Sequence, residues 1–113
     1  LEACRAAIKA EMAFYIGGMG ARNKNFYNDY AKRLGYEEAA VKIQDAFLDG
    51  RREEAAAAVP DEFVDATALV GPPERIKERL GAWKAAAADH SVGSLLMSIK
   101  DIETLRAVSE AAA

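Results

Sequence analysis

The stretch that decides the fold runs from Val59 to Trp83 and reads VPDEFVDATALVGPPERIKERLGAW. It predicts a helix, a hinge at Gly71 and a second helix, because proline is pre-organised for the first turn of a helix and two prolines follow the glycine. Farther along, only SLLMSI, from Ser94 to Ile99, has the short apolar run that is typical of a strand buried on both faces. Because this strand has no partner strand in the sequence, we interpret the chain as a fragment of a larger sheet protein.

The composition is that of one domain with a small number of large core side chains. The chain has 113 residues and a net charge of −3, and its basic and acidic residues alternate. The absence of a basic stripe argues against nucleic acid as a partner. A single cysteine and the absence of a secretory signal favour a cytoplasmic location. No run approaches the roughly twenty apolar residues that cross a bilayer, so we expect a soluble protein with no membrane partner.

Apolar residues at helical spacing predict that residues 1–90 are mainly helical. The first helix is predicted over Leu1–Tyr15, with a loop at Gly17–Gly20 because three of these four residues are glycine. Asn23 or Asn25 is the expected cap of the second helix. The expected buried stripe of that helix consists of Phe26, Tyr30 and Leu34.

The remaining helices are predicted from their caps, breakers and apolar spacing. Asp101 is expected to cap the last helix, which follows the strand within residues 91–113. Ile76, Leu80 and Trp83 are expected to be buried on one face of the helix that starts after Gly71. The other predicted helices cover Tyr36–Leu48, Arg51–Val59 and Asp61–Ala68.

Several motifs resemble the C-terminal part of luciferase-like monooxygenases, and in particular the branch that depends on the deazaflavin coenzyme F-420 (F420). The most specific of them is the combination of a glycine loop with a Lys-Asn-Phe-Tyr sequence, whereas the Val-Gly-Pro-Pro-Glu helix start is shared across that family. The motifs are Tyr15–Gly20, Lys24–Tyr27, Gly35–Glu37, Val59–Glu62 and Val70–Glu74.

The resemblance implies an α/β fold, a (β/α)₈ TIM barrel, of which residues 1–113 form a single C-terminal unit. This unit would be mostly α-helical and would contain the last strand and the last helix of the barrel. A complete barrel needs about 250 residues, so the resemblance also implies that much of the cofactor pocket lies upstream. The segment Ala87–Val92 departs from the family's usual short Ala-Gly-Val turn into the last strand.

The glycine loop is the best candidate for a binding site in the sequence. Backbone N–H groups freed by Gly18 and Gly20, with Arg22, Lys24 and Asn25 nearby, suit a phosphate or carboxylate at a helix N-terminus. The alternative interpretation is a helix break beside a solvated basic edge. The residues alone favour the helix break, and the resemblance brings the two interpretations to equal weight, because active sites of such barrels gather where loops leave the strands.

Other reactive or aromatic side chains have structural explanations. His90 is the only histidine, so the chain cannot assemble a histidine-based metal site or triad, and we expect His90 in a loop. Cys4 is expected to pack on the apolar face of the first helix. An aromatic cluster around the glycine loop is more typical of a core, although it could form the wall of a site for a flat ligand. The cluster consists of Tyr15, Phe26, Tyr27 and Tyr30.

The function implied by the resemblance is a flavin- or deazaflavin-dependent oxidoreductase or monooxygenase that acts on a small organic substrate. F420 is the favoured cofactor and FMN is the alternative. No catalytic residue is assigned within the chain, which we expect to be inactive alone and to form a homo-oligomer. The competing hypothesis is a helical interaction module that oligomerises by adding Ser94–Ile99 to a partner's sheet.

Overall fold

A computed structural model describes all residues from Leu1 to Ala113, and its secondary structure consists of seven α-helices. The chain divides into two compact units, residues 1–68 and residues 69–113. We describe each unit by itself. The interpretation of residues 1–113 as one part of a barrel domain, divided after residue 90, stays a prediction.

The first unit contains five helices, and most of their bounds agree with the prediction from apolar spacing. Asn25 caps the second helix, since its side chain accepts a hydrogen bond from the backbone N–H of Asn28. The helices are α1 (Glu2–Gly18), α2 (Phe26–Arg33), α3 (Glu37–Leu48), α4 (Arg52–Ala57) and α5 (Asp61–Thr67).

The predicted loop at Gly17–Gly20 is wrong in its first half, because α1 continues to Gly18. The two helical glycines lie against α3. A Cβ atom built on Gly17 would lie 2.5 Å from Cβ of Phe47, and one on Gly18 would lie 2.5 Å from Cε1 of the same ring. Glycine therefore allows α1 to approach α3 closely. The packing energy of this contact offsets the cost of placing glycine in a helix.

The core of the first unit consists of small and medium-sized apolar residues where α1, α3 and α4 pack together. Ile43, Val59 and Val64 are fully buried. The rings of Tyr36 and Phe63 stack at 4.5 Å between centroids and tie the start of α3 to α5. Because alanines such as Ala13, which is also buried, contribute little area each, these larger side chains supply most of the apolar stabilisation.

Charged side chains join α1 to α5 along one edge of the first unit. Nη2 of Arg5 lies 2.6 Å from Oδ2 of Asp65, and Nη1 of Arg5 lies 3.5 Å from Oδ2 of Asp61. Lys9 pairs with Asp61 as well. The hydrogen bond from Lys9 is the main cause of a lowered pKa at Asp61, and the nearby charges of Lys9 and Arg5 add to it.

The second unit contains α6 (Pro73–Ala88) and α7 (Ile102–Ala112), which pack against each other. Pro73 starts α6, as the Gly71-Pro72-Pro73 sequence predicts. Asp101 caps α7 as predicted, because its side chain accepts hydrogen bonds from the backbone N–H of Thr104 at 2.7 Å and from its hydroxyl at 2.8 Å.

The predicted strand at Ser94–Ile99 is not formed in this structure, where residues 94–100 have no regular secondary structure. The side chain of Leu96 is 95% exposed, and Leu95 and Met97 are also exposed. A strand exists only when its backbone pairs with a neighbouring strand. The chain contains no other strand, so the segment has nothing with which to pair.

Several residues expected in the core lie on the surface. The stripe of α2 is exposed, with Phe26 at 68%, and Trp83 and Cys4 are exposed as well. In α2 the buried side is formed by Asn28 and Ala31 instead. The error at α2 arises because the buried side of this helix carries the small Ala31 and the amide of Asn28, which bonds to backbone, instead of large apolar side chains. No helix of the structure combines the length and the apolar character that a membrane span requires.

Candidate functional site

The residues predicted to form an anion site lie at the end of α1 and the start of α2, and they have different roles there. The side chain of Asn25 is 1% exposed, and its Nδ2 donates to the carbonyl oxygens of Tyr15 at 3.1 Å and Ile16 at 3.0 Å. The side-chain amide of Asn28 is also buried, and its Nδ2 donates to the carbonyl oxygens of Ile16 at 3.1 Å and Ala40 at 2.8 Å. These amides satisfy carbonyls at the C-terminal end of α1 and join α1, α2 and α3.

The two glycines of the predicted site are required for packing and chain closure. Gly18 lies at the end of α1 against Phe47. Gly20 has a φ of +153°, and a Cβ atom there would lie 2.3 Å from the carbonyl oxygen of Lys24. A side chain at position 20 would therefore collide with the loop backbone, so the need for glycine is explained without a ligand.

Of the two predicted cations, one is already paired. Nη2 of Arg22 lies 2.8 Å from Oδ1 of Asp45, and both side chains are about half exposed. Lys24 is exposed, and its side chain has no hydrogen bond or ion pair within the chain. The five residues thus do not gather into one anion cradle within this chain, and Lys24 is the residue among them that remains available to an anion.

The first unit contains an apolar groove. It has a volume of about 450 Å³, within the usual range of ligand pockets. Its floor and walls come from α1, α2 and α5, and its surface is predominantly apolar. The residues around it are Ile8, Glu11, Met12, Tyr15, Ile16, Tyr27, Tyr30, Phe63, Thr67 and Ala68.

Aromatic rings form one wall of this groove. The centroids of the Tyr15 and Tyr27 rings lie 4.9 Å apart, with their planes tilted by 56°. Three residues of the predicted aromatic cluster, Tyr15, Tyr27 and Tyr30, border the groove, whereas Phe26 points elsewhere and packs beside Arg33. The structure brings these three tyrosines to a cavity, as the prediction of a wall for a flat ligand requires.

Glu11 is the one ionisable carboxyl group that borders the groove, and the sequence analysis did not select it. Its carboxylate forms no ion pair and no hydrogen bond with the rest of the chain. Glu11 precedes Tyr15 by four residues and therefore lies on the same face of α1. That spacing was the available signal, but the partner helices of the face could not be known from sequence.

Comparison with known proteins assigns the chain to a family. Residues 2–90 match the family model described as luciferase-like monooxygenase, so the chain belongs to the luciferase-like monooxygenase family. This confirms the resemblance that was drawn from the glycine, Lys-Asn-Phe-Tyr and Val-Gly-Pro-Pro-Glu motifs. The chain is helical in this structure, and the barrel fold remains what membership of the family implies.

A relative from Mycobacterium tuberculosis carries the provisional name coenzyme F420-dependent oxidoreductase Rv3520c. It is 40% identical to this chain over 81 residues, which are 72% of the chain but only 23% of the relative. The chain thus spans about a quarter of the length of that protein. No solved structure matches the chain.

Proposed function

We propose that the chain is the C-terminal part of an F420-dependent oxidoreductase of the luciferase-like family. The observation that carries this proposal is the 40% identity to a relative named as F420-dependent, over 72% of the chain. The same motifs supported this branch in the sequence. FMN, which serves other members of such a family, is the alternative cofactor.

When it is bound, the deazaflavin ring supplies the chemistry by accepting or giving a hydride. This chain's own residues would bind and orient the reactants. The five residues of the glycine loop do not form a phosphate site alone, so the remainder of the protein would supply most of the cofactor contacts. Lys24 would add a cation at the edge of that site, and the groove of α1, α2 and α5 would add an apolar wall.

The proposal assigns no proton-transfer or nucleophilic step to this chain. Its one histidine, His90, follows α6 in a turn with a φ of +66°. Its one cysteine, Cys4, is exposed on α1. Neither residue borders the groove. The chain alone is therefore expected to be inactive.

Cofactor titration tests the proposal. The full-length protein that carries this segment is titrated with F420 and, separately, with FMN, and the quenching of cofactor fluorescence is followed. We expect saturable binding of F420 that is at least tenfold tighter than that of FMN. Tighter binding of FMN than of F420 would contradict the choice of F420 as the cofactor. Absence of binding to either cofactor would contradict the proposal as a whole.

The contribution of Lys24 is tested in the same titration. Lys24→Ala should weaken F420 binding about twofold to fivefold, because an exposed charge pair contributes up to about 1 kcal/mol. The matched control is Lys42→Ala, an exposed lysine of the same unit on α3, and it should leave the affinity unchanged. Equal F420 affinities of the two variants would show that Lys24 does not contribute to cofactor binding.

A further inference from the structure

We propose that the groove of α1, α2 and α5 is a binding site for a small, planar, apolar molecule that carries a hydrogen-bond donor, and that Glu11 receives this donor. The identification of this molecule with the organic substrate rests on the proposed function. Binding itself is a property of the groove and requires no cofactor.

The shape and surface of the groove favour a flat apolar body. A volume of about 450 Å³ accommodates a molecule of two fused rings. Tyr15 and Tyr27 present ring surfaces on one side, and Phe63 borders the groove from α5. Aromatic rings prefer offset or edge contacts with another ring, and such a contact contributes about 0.5–1.5 kcal/mol beyond the buried area.

Among the polar groups of the groove, Glu11 is the one that favours a donor on that molecule, because the phenol hydroxyls of Tyr15, Tyr27 and Tyr30 can both donate and accept hydrogen bonds. Glu11 is exposed at the border of the groove and has no cation near enough to form an ion pair. The hydroxyl of Thr67 is committed as a donor to the carbonyl oxygen of Phe63 at 2.8 Å. An ionised carboxylate accepts hydrogen bonds but cannot donate one. An alcohol or an ammonium group would satisfy Glu11, whereas a second carboxylate would be repelled.

The other charged groups near this side of the unit are occupied. Arg5 and Lys9 point to Asp61 and Asp65 and form ion pairs there. They are therefore not available to neutralise Glu11. An apolar cavity with one unneutralised carboxylate at its border is complementary in charge to a donor-bearing ligand.

Three probes that differ only in one substituent test the inference on the 113-residue chain without cofactor. They are naphthylmethanol, naphthylmethylamine and naphthoate, and binding is followed by saturation-transfer NMR and by tyrosine fluorescence. The alcohol and the amine should bind about threefold to fivefold more tightly than the carboxylate, because Glu11 is exposed and an exposed charge contributes up to about 1 kcal/mol. Saturation transfer should reach the probes from tyrosine rings, since Tyr15, Tyr27 and Tyr30 border the groove.

Glu11→Gln separates the two donor types. The side-chain oxygen of glutamine still accepts a hydrogen bond, so the affinity for the alcohol should change less than threefold. The affinity for the amine should fall by about fivefold with the loss of the charge, and naphthoate should bind more tightly than before. The matched control is Glu53→Gln on α4, an exposed glutamate outside the groove, which should leave all three affinities unchanged.

Three outcomes would overturn the inference: no probe binds, the wild-type chain binds all three probes equally, or Glu11→Gln retains the discrimination of the wild type. Tyr27→Leu provides a second check, because loss of the ring should weaken all three probes alike. An unchanged affinity in that variant would place the probes elsewhere. None of these results depends on F420 binding, so failure here leaves the cofactor titration as a separate test of the proposed function.

Discussion

Replacement of Asn25 by alanine should remove much of the stability of the first unit. The side chain is buried and makes three hydrogen bonds, one as the N-cap of α2 and two to the carbonyl oxygens of Tyr15 and Ile16. Loss of an N-cap costs about 1 kcal/mol. Each of the two other hydrogen bonds contributes about 1 kcal/mol, and the carbonyls that they leave are partly or fully buried. The expected cost of Asn25→Ala is therefore about 3 kcal/mol.

That loss is large for a unit of this size, since stabilities of about 0.05–0.15 kcal/mol per residue are usual. The assay is urea unfolding followed by tyrosine fluorescence. All four tyrosines lie within residues 1–68, so this signal reports the first unit. We expect the midpoint to fall strongly or the unit to unfold in the absence of urea.

Two further variants separate the contributions of Asn25. Asn25→Ser keeps an oxygen that can cap α2 but loses the two donors, so it should be about 1 kcal/mol more stable than Asn25→Ala. Lys24→Ala changes an exposed neighbour and should stay within about 0.5 kcal/mol of the wild type. If Asn25→Ala were as stable as Lys24→Ala, the role of Asn25 in joining α1 to α2 would be refuted.

Two other predictions concern glycines and acid. Gly17→Ala should destabilise the first unit by about 1–3 kcal/mol in the tyrosine assay, because its Cβ would collide with Phe47 near the helix backbone. Gly81→Ala in α6 meets open space and should raise the stability of the second unit by about 0.5–1 kcal/mol, measured by tryptophan fluorescence. A stabilising effect of Gly17→Ala would contradict the close packing of α1 on α3. The pKa of Asp61 lies below its ordinary value in the folded chain, chiefly because of the hydrogen bond from Lys9. The stabilisation from this group is therefore present above the ordinary pKa and is lost as the pH falls through the folded pKa. Asp61→Asn should lower the urea midpoint at neutral pH and weaken the dependence of this midpoint on acid pH, and an unchanged midpoint would show that the pair with Lys9 contributes nothing.

Features that depend on near neighbours in sequence could be predicted. Asn25 and Asp101 are caps because each accepts a hydrogen bond from a backbone N–H three residues later. The start of α6 at Pro73 follows from the fixed φ of proline. In each case the same few residues contain both the signal and its physical cause.

Features that depend on distant neighbours could not be predicted. Gly17 and Gly18 are typical of a helix end, yet they continue α1 because Phe47 lies 29–30 residues away in sequence and packs on them. The groove unites residues near positions 8–16, 27–30 and 63–68, so apolar spacing along one helix could not define it. Glu11 was missed for that reason.

The candidate cofactor site was only partly assessable from sequence. The residue types around Gly18 and Gly20 suit an anion site, but the same types also suit a close helix contact and a buried amide network. The structure assigns Asn25 to that network and leaves Lys24 exposed. Composition cannot distinguish these roles, because they differ only in which backbone groups lie nearby.

If the chain is the C-terminal part of a barrel, as proposed, Ser94–Ile99 is expected to form a strand when the neighbouring strands of the barrel are present. Amide hydrogen exchange of these residues tests it most directly, measured in the 113-residue chain and in the full-length luciferase-like protein under the same conditions. We expect rapid exchange at residues 94–99 in the short chain, where no strand pairs with them, and strong protection in the full-length protein. Rapid exchange in both proteins, or strong protection in the short chain as a monomer, would contradict the claim.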